Sequence, residues 1–375
     1  MPQGVIITEW TEDQGLKVKL SHPEDIKADL DDMMRIFYAH ITGAGEAGNV
    51  LVRLEKARSN VSSYFTGMES ETPFMINLML DLGEEPEMFG ETVIHEINEK
   101  ILSFLNRMGT DVSQNYEEVK ELRLYIKTAL FLLERLKNLT REQRLAQIFV
   151  SEKGRAILQI LQDKPLSRKE LQGFIEEKLN KLITNIEITL DPFVKTGLIK
   201  QDWVEGDSDL SLFLLSDFSL FRTPVAKLIE DAKNRLPTPT LATKYLEEVN
   251  KFFSNYQPSF DDNLKIAQNM MNPDKYDYIS LFRERAYPLN KIPRGPGESI
   301  EEVGGFLKTL EDDKIIIILK DEKDLEWVLL FTDVIAQTFY PEYLIEKIRK
   351  DSVEGKLKKN IAIKHLEFLE ETYKK

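Results

Sequence analysis

The first hundred residues switch between two hydrophobic periods. Residues 5–10 and 16–20 are short β-type runs flanking Thr11-Glu12-Asp13-Gln14-Gly15, a polar stretch that closes in glycine, and together they predict a hairpin. Between residues 26 and 41 the apolar positions Ile26, Leu30, Met33, Met34, Phe37 and Ile41 recur every three or four residues, as one face of a helix requires. Three more strands are expected at 50–54, 60–67 and 74–82. A second helix is expected over 86–105, with Phe89, Val93, Ile94, Ile97, Ile101 and Leu102 inward and Pro86 in its first turn. The expected order is ββαβββα, five strands with two helices on one face.

From 116 to 139 the pattern becomes that of one long helix. Val119, Leu122, Ile126, Ala129, Leu133 and Leu136 step by three and four, an a/d seam that could serve a homodimer. Leu124, Leu130, Phe131 and Leu132 lie off the seam, which favours a helix packed between two domains of its own chain.

After Thr140 the chain reads as a winged helix. A first helix covers 154–161, and Ser167 with Glu170 forms a capping box for a second over 168–178. A third begins after Asn180 and runs into Phe193-Val194-Lys195-Thr196-Gly197. Hairpin strands follow at 198–204 and 210–215. The pattern then recurs. Leu214-Leu215-Ser216-Asp217 returns as Leu330-Phe331-Thr332-Asp333, and Leu228-Ile229-Glu230 as Leu344-Ile345-Glu346, both offset by 116. Phe193-Val194-Lys195-Thr196 matches Phe306-Leu307-Lys308-Thr309 at an offset of 113, which predicts three extra residues in the second wing. The second copy's helices are expected at 276–287 and 299–310, and its hairpin at 315–319 and 327–331. A repeat of this length is a duplicated domain, with Pro237-Thr238-Pro239-Thr240 at the break. The expected class is therefore α+β: an α/β domain at 1–110, a connecting helix at 111–139, a winged-helix domain at 140–236, a helical linker at 237–274 and a second winged-helix-like domain at 275–375.

Gly4-Val5-Ile6-Ile7-Thr8-Glu9-Trp10, Ser21-His22-Pro23-Glu24-Asp25, Tyr64-Phe65-Thr66-Gly67 and Phe74-Met75-Ile76-Asn77-Leu78 resemble the opening domain of archaeal longin-like and roadblock-type proteins. That resemblance covers about the first 105 residues. It implies a platform for small GTPases or membrane-traffic partners, or for dimerisation.

Composition changes the picture in two ways. The 375 residues include no Cys, so disulfides, thiolate metal sites and cysteine nucleophiles drop out, which fits a reducing cytoplasm. No apolar run reaches membrane-spanning length, and the start resembles no signal peptide. The net charge is -14, and residues 1–110 hold 9 Lys+Arg against 19 Asp+Glu. Such a balance opposes phosphate backbones.

Chemistry-bearing motifs fail on inspection. Gly43-Ala44-Gly45-Glu46-Ala47-Gly48 spells G-x-G-x-x-G, but a helix precedes it and a strand follows, the reverse of a dinucleotide turn. His95-Glu96-Ile97-Asn98-Glu99 has Glu where a zinc-protease helix needs its second His. No enzyme, cofactor or metal is expected. The third helices expose Lys181, Asn185, Glu187, Thr189 and Asp191 in one copy, and Glu301, Glu302, Lys308, Glu311 and Asp312 in the other. Neither set is basic, so the sequence favours an adaptor whose winged helices contact protein, as those of endosomal-sorting subunits do. The second reading is a DNA-binding regulator dimerised by its first domain, with Arg168, Lys169, Lys178 and Lys181 on phosphate. A ribonucleoprotein-associated factor is the third.

Overall fold

The computed structural model describes residues 2–26, 29–42, 46–89, 91–108, 116–180, 183, 186–205, 209–294 and 300–374. The chain is mixed α+β and divides into two compact units, Met1–Asn138 and Leu139–Lys375.

The first unit is built on five antiparallel strands: β1 (Gly4–Thr11), β2 (Gly15–His22), β3 (Gly48–Leu54), β4 (Ser59–Phe65) and β5 (Phe74–Asp81), in the order β2-β1-β5-β4-β3. Helix α1 (Leu30–Ile41) is capped by Asp29, whose carboxylate accepts from the Asp31 N–H. Its Met33, Ile36 and Phe37 pack with Ile6, Val61, Phe65, Met75 and Met79. By strand alternation Val5, Ile7, Ile76, Leu78 and Leu80 point to the opposite face, and they are buried too. The second face belongs to α2 (Glu91–Met108) and α3 (Tyr116–Lys137). Glu99 of α2 acts electrostatically on Tyr64, Arg123 of α3 donates to the Ser21 carbonyl, and α2 and α3 pack on each other. The helices thus cover both faces, where one face was expected, because β1 and β5 are apolar on both sides and need two covers. Pro86 does not open α2. It lies in a separate 3-10 turn, Pro86–Met88, closed by Met88 N–H to Glu85 and Phe89 N–H to Pro86.

The second unit is a duplication. Its first copy runs α4 (Arg141–Val150), α5 (Glu152–Asp163), β6 (Leu166–Ser167), α6 (Arg168–Leu179), α7 (Ile186–Thr196), β7 (Ile199–Asp202), β8 (Ser211–Leu214), β9 (Asp217–Thr223), α8 (Ala226–Lys233) and α9 (Pro239–Asn255). The second repeats the plan: α10 (Phe260–Met271), α11 (Pro273–Glu284), β10 (Tyr287–Pro288), α12 (Ile300–Asp312), β11 (Ile316–Lys320), β12 (Glu326–Leu330), β13 (Asp333–Phe339), α13 (Glu342–Val353) and α14 (Lys359–Tyr373). Between β10 and α12 a 3-10 turn, Leu289–Lys291, stands where α6 does in the first copy. Each copy has a three-stranded sheet, β6-β8-β7 and β10-β12-β11. Gly154 lets α5 turn tightly out of α4, since a Cβ there would lie 2.3 Å from the Ile148 carbonyl oxygen.

Hydrogen bonds fix which residues correspond. Leu198 N–H donates to Phe193 and Ile315 N–H to Leu310, so Phe193 corresponds to Leu310 rather than to Phe306. The second hairpin is consequently one residue shorter than the first, not three longer. The four-letter match that suggested otherwise is one turn out of register on an amphipathic helix, where i and i+4 look alike.

The copies meet around a pseudo-two-fold axis. Asp217 and Asp333 each start a strand and cap the next N–H with their own carboxylate. Strands β9 and β13 pair antiparallel from Asp217↔Phe339 to Thr223↔Asp333, so the central pair, Leu220↔Ala336, joins equivalent residues. Helices α4 and α10, equivalent again, pack on each other, with Gln143 Nε2 donating to the Met270 carbonyl. The last helices cross over. Tyr245 of α9 donates its hydroxyl to the Leu330 carbonyl of the second copy, while His365 of α14 bonds the Leu214 carbonyl of the first. One continuous apolar core results, running from Leu145 to Leu369.

Candidate functional site

Helix α6 carries three of the four cations that could meet a phosphate backbone. Its N-terminus is set by the capping box of Ser167 and Glu170. That cap places Arg168 beside Glu187 of α7 at 2.5 Å and Asp209 of the hairpin at 3.3 Å. Asp209 also accepts from the Lys169 and Leu210 N–H groups at 3.1 and 2.8 Å. Burial pushes its carboxyl up, but those N–H groups and the Arg168 charge outweigh it and hold the pKa below the usual carboxylate range. Arg168 is therefore a tie between helix and hairpin, its charge matched by two acids. Lys169 and Lys178 are exposed, the latter donating to Gln159. Lys181 and Asn185 lie outside the described residues. On α7 Glu187 is exposed while Thr189 and Asp191 are half-buried. On α12 Glu301, Lys308 and Asp312 are exposed and Glu311 is half-buried.

No family model, curated protein or solved structure matches this chain.

The long-helix seam turns inward. Leu122, Ile126, Ala129, Leu133 and Leu136 of α3 are buried, and Val119 is half-buried. These side chains pack within the chain and are not available as a dimer seam. Leu124 and Phe131 of α3 are exposed, off the seam and two turns apart, as is Tyr116 at the start of the helix.

Strand β3 ends the five-stranded sheet, and among the described residues no strand pairs with its outer edge. Asn49, Leu51 and Arg53 are exposed along it.

In the second unit an open groove of ≈ 520 Å³ runs between the C-terminal half of α9, the end of α12 and β11. Phe252, Ile316, Ile317 and Phe331 form its walls, and Glu248, Lys251, Glu311 and Lys314 stand around its rim. Phe252 is half-buried, and its ring stacks on Tyr256 at 5.2 Å and meets Phe331 edge-on at the same distance. No local motif marks the groove, because residues distant in sequence build it.

Polar chemistry inside the units is sealed. His40 Nε2 lies 2.9 Å from Ser63 Oγ, an arrangement that could activate a hydroxyl in a cleft. Here both residues are buried beneath α1, and burial lowers the His40 pKa to about 4. Among the described residues no group of three or more His, Asp or Glu could hold a metal ion, and no helix is long and apolar enough to cross a membrane. Of the glycines of the G-x-G-x-x-G stretch, Gly43 and Gly45 lie outside the described residues and Gly48 opens β3.

Proposed function

We propose that this chain is a non-catalytic adaptor: a longin-like platform followed by tandem winged-helix repeats, which dock protein partners. The observation that carries the reading is the pairing of Arg168 with Glu187 and Asp209. In a DNA-reading winged helix the second helix, third helix and wing together present cations to phosphate. Here acids from the third helix and the wing neutralise the arginine of the second. The third helix of the second copy exposes Glu301 and Asp312 beside a single exposed lysine, Lys308.

The longin-like assignment is supported by the strand order β2-β1-β5-β4-β3 with one helix on one face and two on the other. The unpaired edge of β3 is a surface on which a partner strand could add by backbone hydrogen bonds. The partners this assignment implies are small GTPases or membrane-traffic machinery, or a second copy of the domain. A cytoplasmic location is part of the same reading.

A salt-titrated fluorescence-anisotropy assay with random duplex DNA tests it. The expected result is no binding at micromolar protein and low salt. Micromolar binding that weakens with a slope of several ions would replace the adaptor with the DNA-binding regulator.

A further inference from the structure

The pseudo-two-fold axis makes each copy a control for the other. Tyr245 and His365 are equivalent, since each reaches the same carbonyl of the opposite copy. Their neighbours agree: Lys244 bonds the Lys320 carbonyl at one hairpin, and Lys364 pairs with Asp202 at the other. Three residues further along each helix stand Glu248 and Phe368. Phe368 is buried, its ring edge-on to Phe213 at 5.3 Å, with Lys200 Nζ 3.6 Å from its centroid and Lys364 Nζ at 5.2 Å. That ring closes the space between α14 and the first hairpin.

At the equivalent place in the second copy the ring is missing. Glu248 takes the position of Phe368, Ile317 that of Lys200, and Phe331 that of Leu215, and all three line the open groove. We propose that this groove receives an aromatic side chain from a partner polypeptide, seated where Phe368 sits in the sister copy. The four charged rim residues, Glu248, Glu311, Lys251 and Lys314, cancel. Apolar shape rather than charge therefore selects the occupant, and a buried aromatic anchor is what such a pocket in an interface holds. The inference rests on the protein-docking reading and gives it a partner chemistry.

The test is a phage-displayed random dodecapeptide library panned on the full chain, with Glu248→Phe as competitor in solution. Glu248→Phe supplies the missing ring internally, and Ile317→Lys installs the sister residue by a different chemistry. Enriched peptides are expected to share a Phe, Tyr or Trp whose replacement by Ala weakens binding more than tenfold. Both protein variants should bind them at least tenfold more weakly, with circular dichroism unchanged. If either variant misfolds, N-acetylphenylalaninamide titrated against the wild-type chain should shift the Ile316 and Ile317 methyl resonances selectively. The proposal is overturned by an absence of enriched peptides, by peptides without an aromatic, or by peptides that ignore both substitutions. It is also overturned by self-association that Glu248→Phe abolishes, which would make a second copy of this chain the occupant. Failure here leaves the adaptor reading standing, whereas DNA binding would remove that reading without filling the groove.

Discussion

Arg222 on β9 offers the sharpest test of the pseudo-symmetry. Its side chain is 2% exposed, and all five of its N–H groups have partners. Nε and Nη2 bind the Asp262 carboxylate at 2.9 and 2.7 Å. Nη1 donates to the Lys314 carbonyl and Thr332 Oγ1 at 3.1 and 2.8 Å, and Nη2 also donates to the Asp313 carbonyl at 2.8 Å. Threonine at this position strips Asp262 of its counter-charge and leaves the two carbonyls short of donors. Breaking a buried pair of this kind costs about 3–5 kcal/mol. For a unit of this size each kcal/mol lowers Tm by about 2–4 °C, so the expected drop is roughly 6–20 °C. The other side of the axis solves the same problem in reverse. There Thr338 stands at the position of Arg222, and Arg141 stands at that of Asp262, donating to Thr338 Oγ1 at 3.0 Å and to the Thr196 carbonyl at 3.2 Å. Asp262→Arg added to Arg222→Thr should therefore rebuild the sister arrangement and recover at least half of the lost stability, on the order of 2 kcal/mol. Urea denaturation followed by circular dichroism and tryptophan fluorescence measures both variants. If the double variant is no more stable than Arg222→Thr alone, the equivalence of the two sites is wrong.

Two further outcomes follow from the same unit. Burial pushes the His365 pKa down to about 4 from 6.5, partly opposed by its bond to the Leu214 carbonyl, so the folded ring is neutral while the unfolded one protonates first. The sign is a loss of stability as pH falls from 6.5 towards 4, about 2 kcal/mol between pH 7.5 and 5. Urea midpoints at the two pH values should show a smaller fall for His365→Gln. At the end of α12, Lys314 holds φ 57 where the first copy has Gly197 at φ 74. Lys314→Gly should raise stability by roughly 0.5–1 kcal/mol, because glycine enters the left-handed region without a Cβ penalty. A lowered urea midpoint would show that the lysine makes a compensating contact.

The elements of the first unit were legible because their hydrophobic periods are clean. The strands at Gly4–Thr11 and Phe74–Asp81 lie on the continuous apolar runs expected at 5–10 and 74–82, and the helix at Leu30–Ile41 follows the three-four step but starts later than the expected residue 26. What period cannot report is which face a helix covers, and there the two-cover arrangement differed from the expectation. In the second unit the match of Leu214-Leu215-Ser216-Asp217 to Leu330-Phe331-Thr332-Asp333 marks equivalent strand ends. The match at Phe306 does not, since four apolar letters on a helix fix a face and not a register. The groove was out of reach for a different reason. Phe252, Ile317 and Phe331 become neighbours only through the crossover of α9. The seam of α3 was read correctly as apolar, but nothing in its spacing says whether the partner is another chain or the sheet beneath it.

The crossover of the last helices also governs the order in which this protein can be completed during synthesis. The first hairpin, β7 and β8, is made early, yet the side chains that cover it, His365 and Phe368, belong to α14. Until residues 359–373 have been polymerised, Phe213 and Leu214 lack their lid, and contacts of such long sequence separation form slowly. A nascent chain that has finished its first copy therefore still shows exposed apolar surface to chaperones and proteases. The first hairpin gains its native cover only once the second copy has been translated.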